Sequence, residues 1–392
     1  MVAKVWEVFW VALRLGLTSF GGPIAHIGYF HKEYVHKRRW LDEARFAELV
    51  SLGQFLPGPA SSQTGMAIGL TRAGTWGAVA AWVGFTLPSA VLMVAFAVLM
   101  RFGNLDLKVG IHAMEIVALA VVGQALLGMG KRLLGGPKQI TVALATVLLL
   151  ALFPSNFAQI AVLAGAGLLG LVLFRAQDQP PPTTPGASSG IVLAVGCLAL
   201  FAGLLIVGPF LAAGRPGADL AALGESFYRV GALVFGGGHV VLPLLKEAVV
   251  TPGWVLPGVF MAGYGFAQAV PGPLFSLSAF LGFQVAGWWG AVVALTAIFL
   301  PSFLLVAGVL PFWSQVRSNR TIAAALTGVN AAVVGLLAAA FYDPIGTLAI
   351  KTPTDFSLAL VLFALLEVWK VPTWTVVLIG LAGAGVLSLF GL

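Results

Sequence analysis

The chain has 392 residues, of which 59% are hydrophobic and only 9% charged. Soluble domains carry roughly 25% charged residues, so this chain cannot cover a water-facing surface and its solvent must be mostly lipid. The formal charge of +7 comes from Lys and Arg scattered between apolar runs, which reads as a membrane-topology signal rather than a nucleic-acid surface. A cytosolic enzyme, a disordered chain and a disulfide scaffold are excluded. Cys197, the single cysteine, is expected to be a small buried apolar residue.

A membrane span needs about 20 mostly apolar residues. Apolar segments run over 5–28, 44–73, 76–100, 110–130, 139–153, 157–174, 191–212, 226–245, 257–285, 288–312, 320–342, 355–369 and 373–391. The first carries Lys4, Glu7 and Arg14 and lacks a small-residue cleavage site, so no cleavable signal peptide is expected. Segments 139–153 and 355–369 are short for full crossings. Gln177 to Ser189, with Pro180, Pro181, Pro182 and Pro185, reads as a linker outside the hydrocarbon. It divides the chain into 1–176, a linker 177–190, and 191–392.

The two halves repeat each other. Arg14, Phe20-Gly21-Gly22, Trp40, Gln54 and Pro57-Gly58-Pro59 recur as Arg229, Phe235-Gly236-Gly237, Trp254, Gln268 and Pro271-Gly272-Pro273. Trp76-Gly77-Ala78, Leu87-Pro88-Ser89 and Ala120-Val121-Val122-Gly123 recur likewise, all about 212 to 215 residues apart. Internal duplication in an apolar chain is a transporter architecture. Seven crossings separate loop 31–43 from its counterpart near 246–256 if 44–73 passes once, which inverts the second half. A re-entrant 44–73 would make the count even and the halves parallel. The expected fold is an all-α polytopic membrane protein of two inverted repeats, with discontinuous helices at the Pro-Gly-Pro and Phe-Gly-Gly motifs.

Pro-Gly-Pro inside an apolar segment should stop one helix and start another, because proline lacks an N–H and clashes with the preceding turn. The amides of Ala60 to Ser62, and of Leu274 to Ser276, would then lack helical acceptors and suit an anion. The alternative is a kink used only for packing, which recurrence at equivalent places disfavours. Gly21, Gly22, Gly236 and Gly237 permit another break or a close helix approach. Arg14 and Arg229 could pair bidentately with a tetrahedral oxyanion, or snorkel to the interface. Gln54, Gln268, Ser61, Ser62 and Ser276 could donate to an oxyanion, although the hydroxyls could equally cap a helix. Glu48, Glu115 and His26 are candidates for proton coupling. His26 and His239 are too far off register to be a pair. No metal or cofactor motif and no ATP-hydrolysing motif is present, so no cofactor is expected, and gradients would power transport.

Phe20-Gly21-Gly22-Pro23, Gln54 through Pro57-Gly58-Pro59, and the copy around Gln268 and Pro271-Gly272-Pro273 resemble the chromate ion transporter family, in its long form with two fused homologous halves. The resemblance covers the chain apart from the linker. It implies a bacterial or archaeal inner-membrane protein that expels chromate and confers resistance, with oppositely oriented halves. The reading is a secondary transporter with a site near the midplane, made by Arg14, Gly21, Gly22, Gln54, Gly58, Ser61, Ser62, Arg229, Gly236, Gly237, Gln268, Gly272 and Ser276. Its expected partners are chromate or sulfate and the lipid bilayer, with a homodimer left open and no nucleic acid. A sulfate permease is the first alternative. An intramembrane lipid-acting enzyme is disfavoured by the lack of a visible nucleophile–base pair.

Overall fold

The computed structural model describes residues 1–102, 108–153, 156–174, 191–212, 219–235 and 238–389. The whole of the expected linker 177–190, and Gly236 and Gly237, lie outside the described residues. Among the described residues there is no strand, and helices account for nearly all of the chain. In order they are α1 (Val2–Thr18), α2 (Gly22–Phe30), α3 (Glu43–Phe55), α4 (Ala60–Phe102), α5 (Lys108–Leu133), α6 (Pro137–Leu152), α7 (Asn156–Leu173) and α8 (Ile191–Ala212). The second half follows with α9 (Leu220–Leu233), α10 (Val241–Leu245), α11 (Pro257–Ala269), α12 (Leu277–Val309), α13 (Trp313–Ser318), α14 (Arg320–Ala340), α15 (Thr347–Ala349), α16 (Pro353–Glu367) and α17 (Thr373–Leu389). The chain is an all-α polytopic membrane protein with two repeats. Among the described residues, five stretches are long and apolar enough to cross a bilayer: Ala60–Phe102, Val109–Leu133, Ile191–Phe210, Leu274–Ser318 and Arg320–Ala349. Only 6% of the Ile191–Phe210 window is fully buried; α8 rests on α9 and α12 along one half-buried face that includes Leu198, Phe201 and Leu205 and turns the rest of its apolar surface outward.

Apolar segments 5–28 and 44–73 are not single rods. Segment 5–28 breaks at Ser19–Gly21, where Gly21 has φ 95°. Segment 44–73 breaks at Leu56–Pro59, and α4 bends sharply at Ala73 and Gly74. A Cβ on Gly77 would overlap the carbonyl oxygen of Gly69. In a straight helix those residues would stand about 12 Å apart along the axis, so the arms 60–72 and 75–102 are antiparallel. The same overlap joins Gly290 to Gly282 across the bend of α12 at Ala286 and Gly287.

The bend of α4 also settles the path of 44–73. Arg72, at the end of the first arm, stacks on Trp40, just before α3, with its guanidinium 4.9 Å from the ring centroid. Segment 43–72 therefore goes in, turns at Pro-Gly-Pro and comes back to the end it left. Segment 5–38 does the same. Glu7, early in α1, binds Arg38 at 3.3 Å and Arg72 at 3.1 Å. The first repeat thus begins with two re-entrant hairpins, and then the second arm of α4 runs through.

Candidate functional site

The turns of the re-entrant hairpins meet at the centre of the molecule. Leu56 closes α3 in extended backbone, Gly58 follows with φ 128°, and α4 begins at Ala60. The Gln63 amide donates to the Pro59 carbonyl at 2.9 Å, so helical bonding starts only there. The amides of Ala60, Ser61 and Ser62 precede that bond and have no helical acceptor. The second copy is tighter. Pro273 leads into a single 3₁₀ turn, Leu274–Ser276, whose last amide donates back to the Pro273 carbonyl at 3.0 Å. Of the three amides expected to be free there, Ser276 is therefore engaged, because an i+3 bond closes the turn one residue early.

Each Pro-Gly-Pro turn is tied to the end of the first helix of the other repeat. The Gly58 amide donates to the Val234 carbonyl at 2.6 Å, and the Gly272 amide to the Ser19 carbonyl at 3.0 Å. Ser19 and Val234 end α1 and α9 at equivalent places. The second arms of α4 and α12 cover the turns with equivalent serines. A Cβ on Gly58 would overlap Ser302 Oγ, and one on Gly272 would stand 3.0 Å from Ser89 Oγ. Gln63 Nε2 donates to the Pro57 carbonyl at 2.6 Å and to Ser302 Oγ at 3.3 Å.

Around these ties the chain buries polar groups that the protein does not satisfy. Ser19 Oγ, His26 Nε2, Ser62 Oγ, Gln63 Oε1, Thr86 Oγ1 and Gln268 Nε2 are buried without a protein partner. His26 sits 3.2 Å from Ser61 Oγ through Nδ1, and its ring packs edge-on against Phe85, beside Thr86. Such groups cost about 1–3 kcal/mol each when left bare. A concentration of them beside helix starts could be satisfied by a polar guest.

The structure brings together Gly58, Ser61, Ser62, Gly272 and His26, with Ser276 buried at the second helix start and Gln268 half-buried one turn before the second turn. Gly21 and Gly22 form the first break, on left-handed backbone, at its exposed edge. It does not bring in the two arginines. Arg14 is exposed on the face of α1 that also carries Trp10 and Leu17, opposite buried Val11, Ala12 and Leu15. Arg229 is held by Glu225 on its own helix, Nε to Oε1 at 3.1 Å. Gln54 is exposed and Glu48 pairs with Arg45 at 2.5 Å. Glu115 is buried at the start of α5, where His112 bridges it at 3.1 Å to Asp355 at 2.9 Å, and Lys351 lies 3.7 Å away. It faces Gly258 at the beginning of α11, about 18 Å along that helix from the turn. Equivalence between repeats pointed to Arg14 and Gln54, but helical phase turns both outward.

Gln63, Ser89, Ser302 and Thr86 were not singled out in the sequence. The duplicated Leu-Pro-Ser blocks at 87–89 and 300–302 carried the signal for the two serines. Gln63 has Leu277 in its place in the second repeat, so repetition hid it.

The family model described as chromate transporter matches residues 6–171 and again 221–386. The chain belongs to the chromate transporter family. It is 30% identical over 369 residues to a probable chromate transport protein of Synechococcus elongatus, covering 91% of this chain and 88% of that one. It is 28% identical to chromate transport proteins of Cupriavidus metallidurans and Pseudomonas aeruginosa, over 382 and 391 residues; each match covers 96% of this chain and 91% of the relative. No solved structure matches. The two matched regions begin and end at equivalent places, so each family unit contains one Phe-Gly-Gly motif and one Pro-Gly-Pro motif.

Proposed function

We propose that this transporter exports the chromate dianion across the inner membrane by alternating access, driven by the membrane potential or by ion exchange. The observation that carries the reading is the meeting of two broken-helix turns among buried polar atoms that have no protein partner. Free amides at a helix start stabilise negative charge, and hydroxyl and amide donors there suit oxygen atoms. Two charges crossing ~100 mV supply about 4.6 kcal/mol, or roughly three decades of concentration.

The repeats are inverted in this reading. Arg101, at the far end of the second arm of α4, donates to the Phe283 carbonyl at 3.2 Å, and Gln284 donates to the Ala97 carbonyl at 3.2 Å. The bend of α12 therefore lies at the end opposite to the bend of α4. Five crossings, the second arm of α4 and α5 to α8, then separate the two hairpin pairs, an odd number. Segment 226–245 repeats 5–28, so in this reading it turns back as that segment does and drops out of the count, like 44–73. The end holding Lys32, Lys37, Arg38 and Arg39 also receives Lys131 and Lys138 by this path, and the positive-inside rule makes it cytoplasmic.

The test is chromate uptake into inverted membrane vesicles with an imposed potential, with unlabelled sulfate added at increasing concentration. Chromate uptake that collapses with the potential and resists equimolar sulfate supports the reading. Sulfate that displaces chromate one for one would make the protein a general tetrahedral-oxyanion permease. Uptake equal to that of vesicles lacking the protein would overturn both.

A further inference from the structure

At the end of the molecule that carries the first hairpin pair, residues 31–37 continue α2 as a π-helix. In an α-helix, residues five apart point about 140° away from each other. A π-helix bonds i to i+5 and stacks them on one face. His31 and His36 are five apart, and their rings stand 4.6 Å from centroid to centroid. Across the loop, Glu43 opens α3 and reaches back to both. Its carboxylate lies 2.7 Å from His31 Nε2 and 3.9 Å from His36 Nε2. One ligand atom from each of the three lies within 4.8 Å of the others.

We propose that His31, His36 and Glu43 form a binding site for a divalent first-row transition-metal ion. Two imidazoles and one carboxylate suit zinc, nickel or cobalt, with remaining positions open to water. Ligand atoms about 2.0–2.2 Å from such an ion stand about 3.3 Å apart. The observed separations bracket that figure, and the His36 and Glu43 side chains are exposed and free to close in. Three neighbouring cations are turned away from this carboxylate. Lys37 and Arg38 are turned to Glu33, at 3.3 and 2.8 Å, and Arg45 to Glu48. The His31 ring leans on Phe46 at 5.2 Å, which limits its freedom. The π-helix alone is not the signal, because the second repeat has one too, at Lys246–Val250. What differs is the ligand set: Lys246, Thr251 and Pro257 stand at the places of His31, His36 and Glu43. A bound ion would fasten the end of the first hairpin to the start of the second, across the loop that holds Trp40. The site is independent of the anion path, so either reading can fail alone.

The experiment uses the full-length protein purified without a polyhistidine tag, stripped with chelator, and titrated with Zn²⁺ by calorimetry, with a thermal melt alongside. One Zn²⁺ per chain is expected, with a melting temperature raised by Zn²⁺. His36→Ala and Glu43→Gln should each weaken binding at least about tenfold and abolish the Zn²⁺-dependent rise in melting temperature. Glu43→Gln can still hydrogen-bond to His31, so it tests charge and ligation without emptying the loop. No binding by the wild type, or binding unchanged in both variants, would overturn the site and leave His31–Glu43 as an ordinary surface ion pair.

Discussion

Gly58 carries two demands that no other residue meets. Its φ of 128° is a region that side chains enter only under strain of about 1–3 kcal/mol, and its missing Cβ is the space occupied by Ser302 Oγ. Gly58→Ala should lower chromate efflux at least about tenfold, measured in cells against a control variant expressed to the same level. Gln63→Leu should also impair efflux by about tenfold or more, because it frees the Pro57 carbonyl and removes the hydrogen bond from the turn to Ser302 of α12. Arg14 is the contrast. Its guanidinium fork made it a candidate oxyanion ligand, but its exposed position, away from the turns, predicts that Arg14→Lys transports within about twofold of wild type. A large loss in that variant, read in the same efflux assay, would return Arg14 to the site. The difference between Arg14 and Gln63 shows what repetition reveals in a sequence. It marks positions the architecture needs, and it is silent about a residue that only one half uses.

At the scale of elements, the breaks were legible and their direction was not. Proline and glycine chemistry located the turns at 57–59 and 271–273 to the residue. Whether the chain carried on or came back depended on the bend at Gly74, one of five glycines between Gly65 and Gly84, and on Arg72 meeting Trp40. Neither leaves a periodic trace. The hairpin ends are fastened by ions: Glu33 takes Arg38 and Lys37, while Glu7 takes Arg38 and Arg72. Burial pushes the Glu33 carboxyl up, but the hydrogen bonds from Arg38 and Lys37, with the charges of both, outweigh it and hold the group below the usual carboxylate range. A depressed carboxyl contributes stability that is complete above its unfolded value of about 4.5 and is lost as pH falls through the folded one. Thermal melts of the wild type should therefore fall more steeply on acidification below about pH 4.5 than those of Glu33→Gln. Parallel curves would show that this carboxylate contributes nothing to the fold.

Taken whole, the molecule places its basic residues with a bias that the linear sequence obscured. With 44–73 as a single pass, the cluster Lys32 to Arg39 fell on the wrong side of the membrane from Lys131 and Lys138. With both hairpins returning, the two groups share one end, and Lys131 there meets Glu367 at 3.4 Å. In a chain whose single cysteine has been changed, Cys197→Ala, an impermeant thiol reagent applied to intact cells should label Lys351→Cys and spare Arg39→Cys. Labelling of both from outside would refute the orientation. The reciprocal bonds at the centre carry one more consequence. Since Gly58 leans on Val234 and Gly272 on Ser19, neither half owns a finished turn. Residues 1–176 and 191–392, made as separate polypeptides in the same cell, should find each other and restore resistance to the metal oxyanion, whereas either fragment made by itself should be degraded. Fusion of the two units into one gene then secures a one-to-one supply of parts that were already obliged to marry.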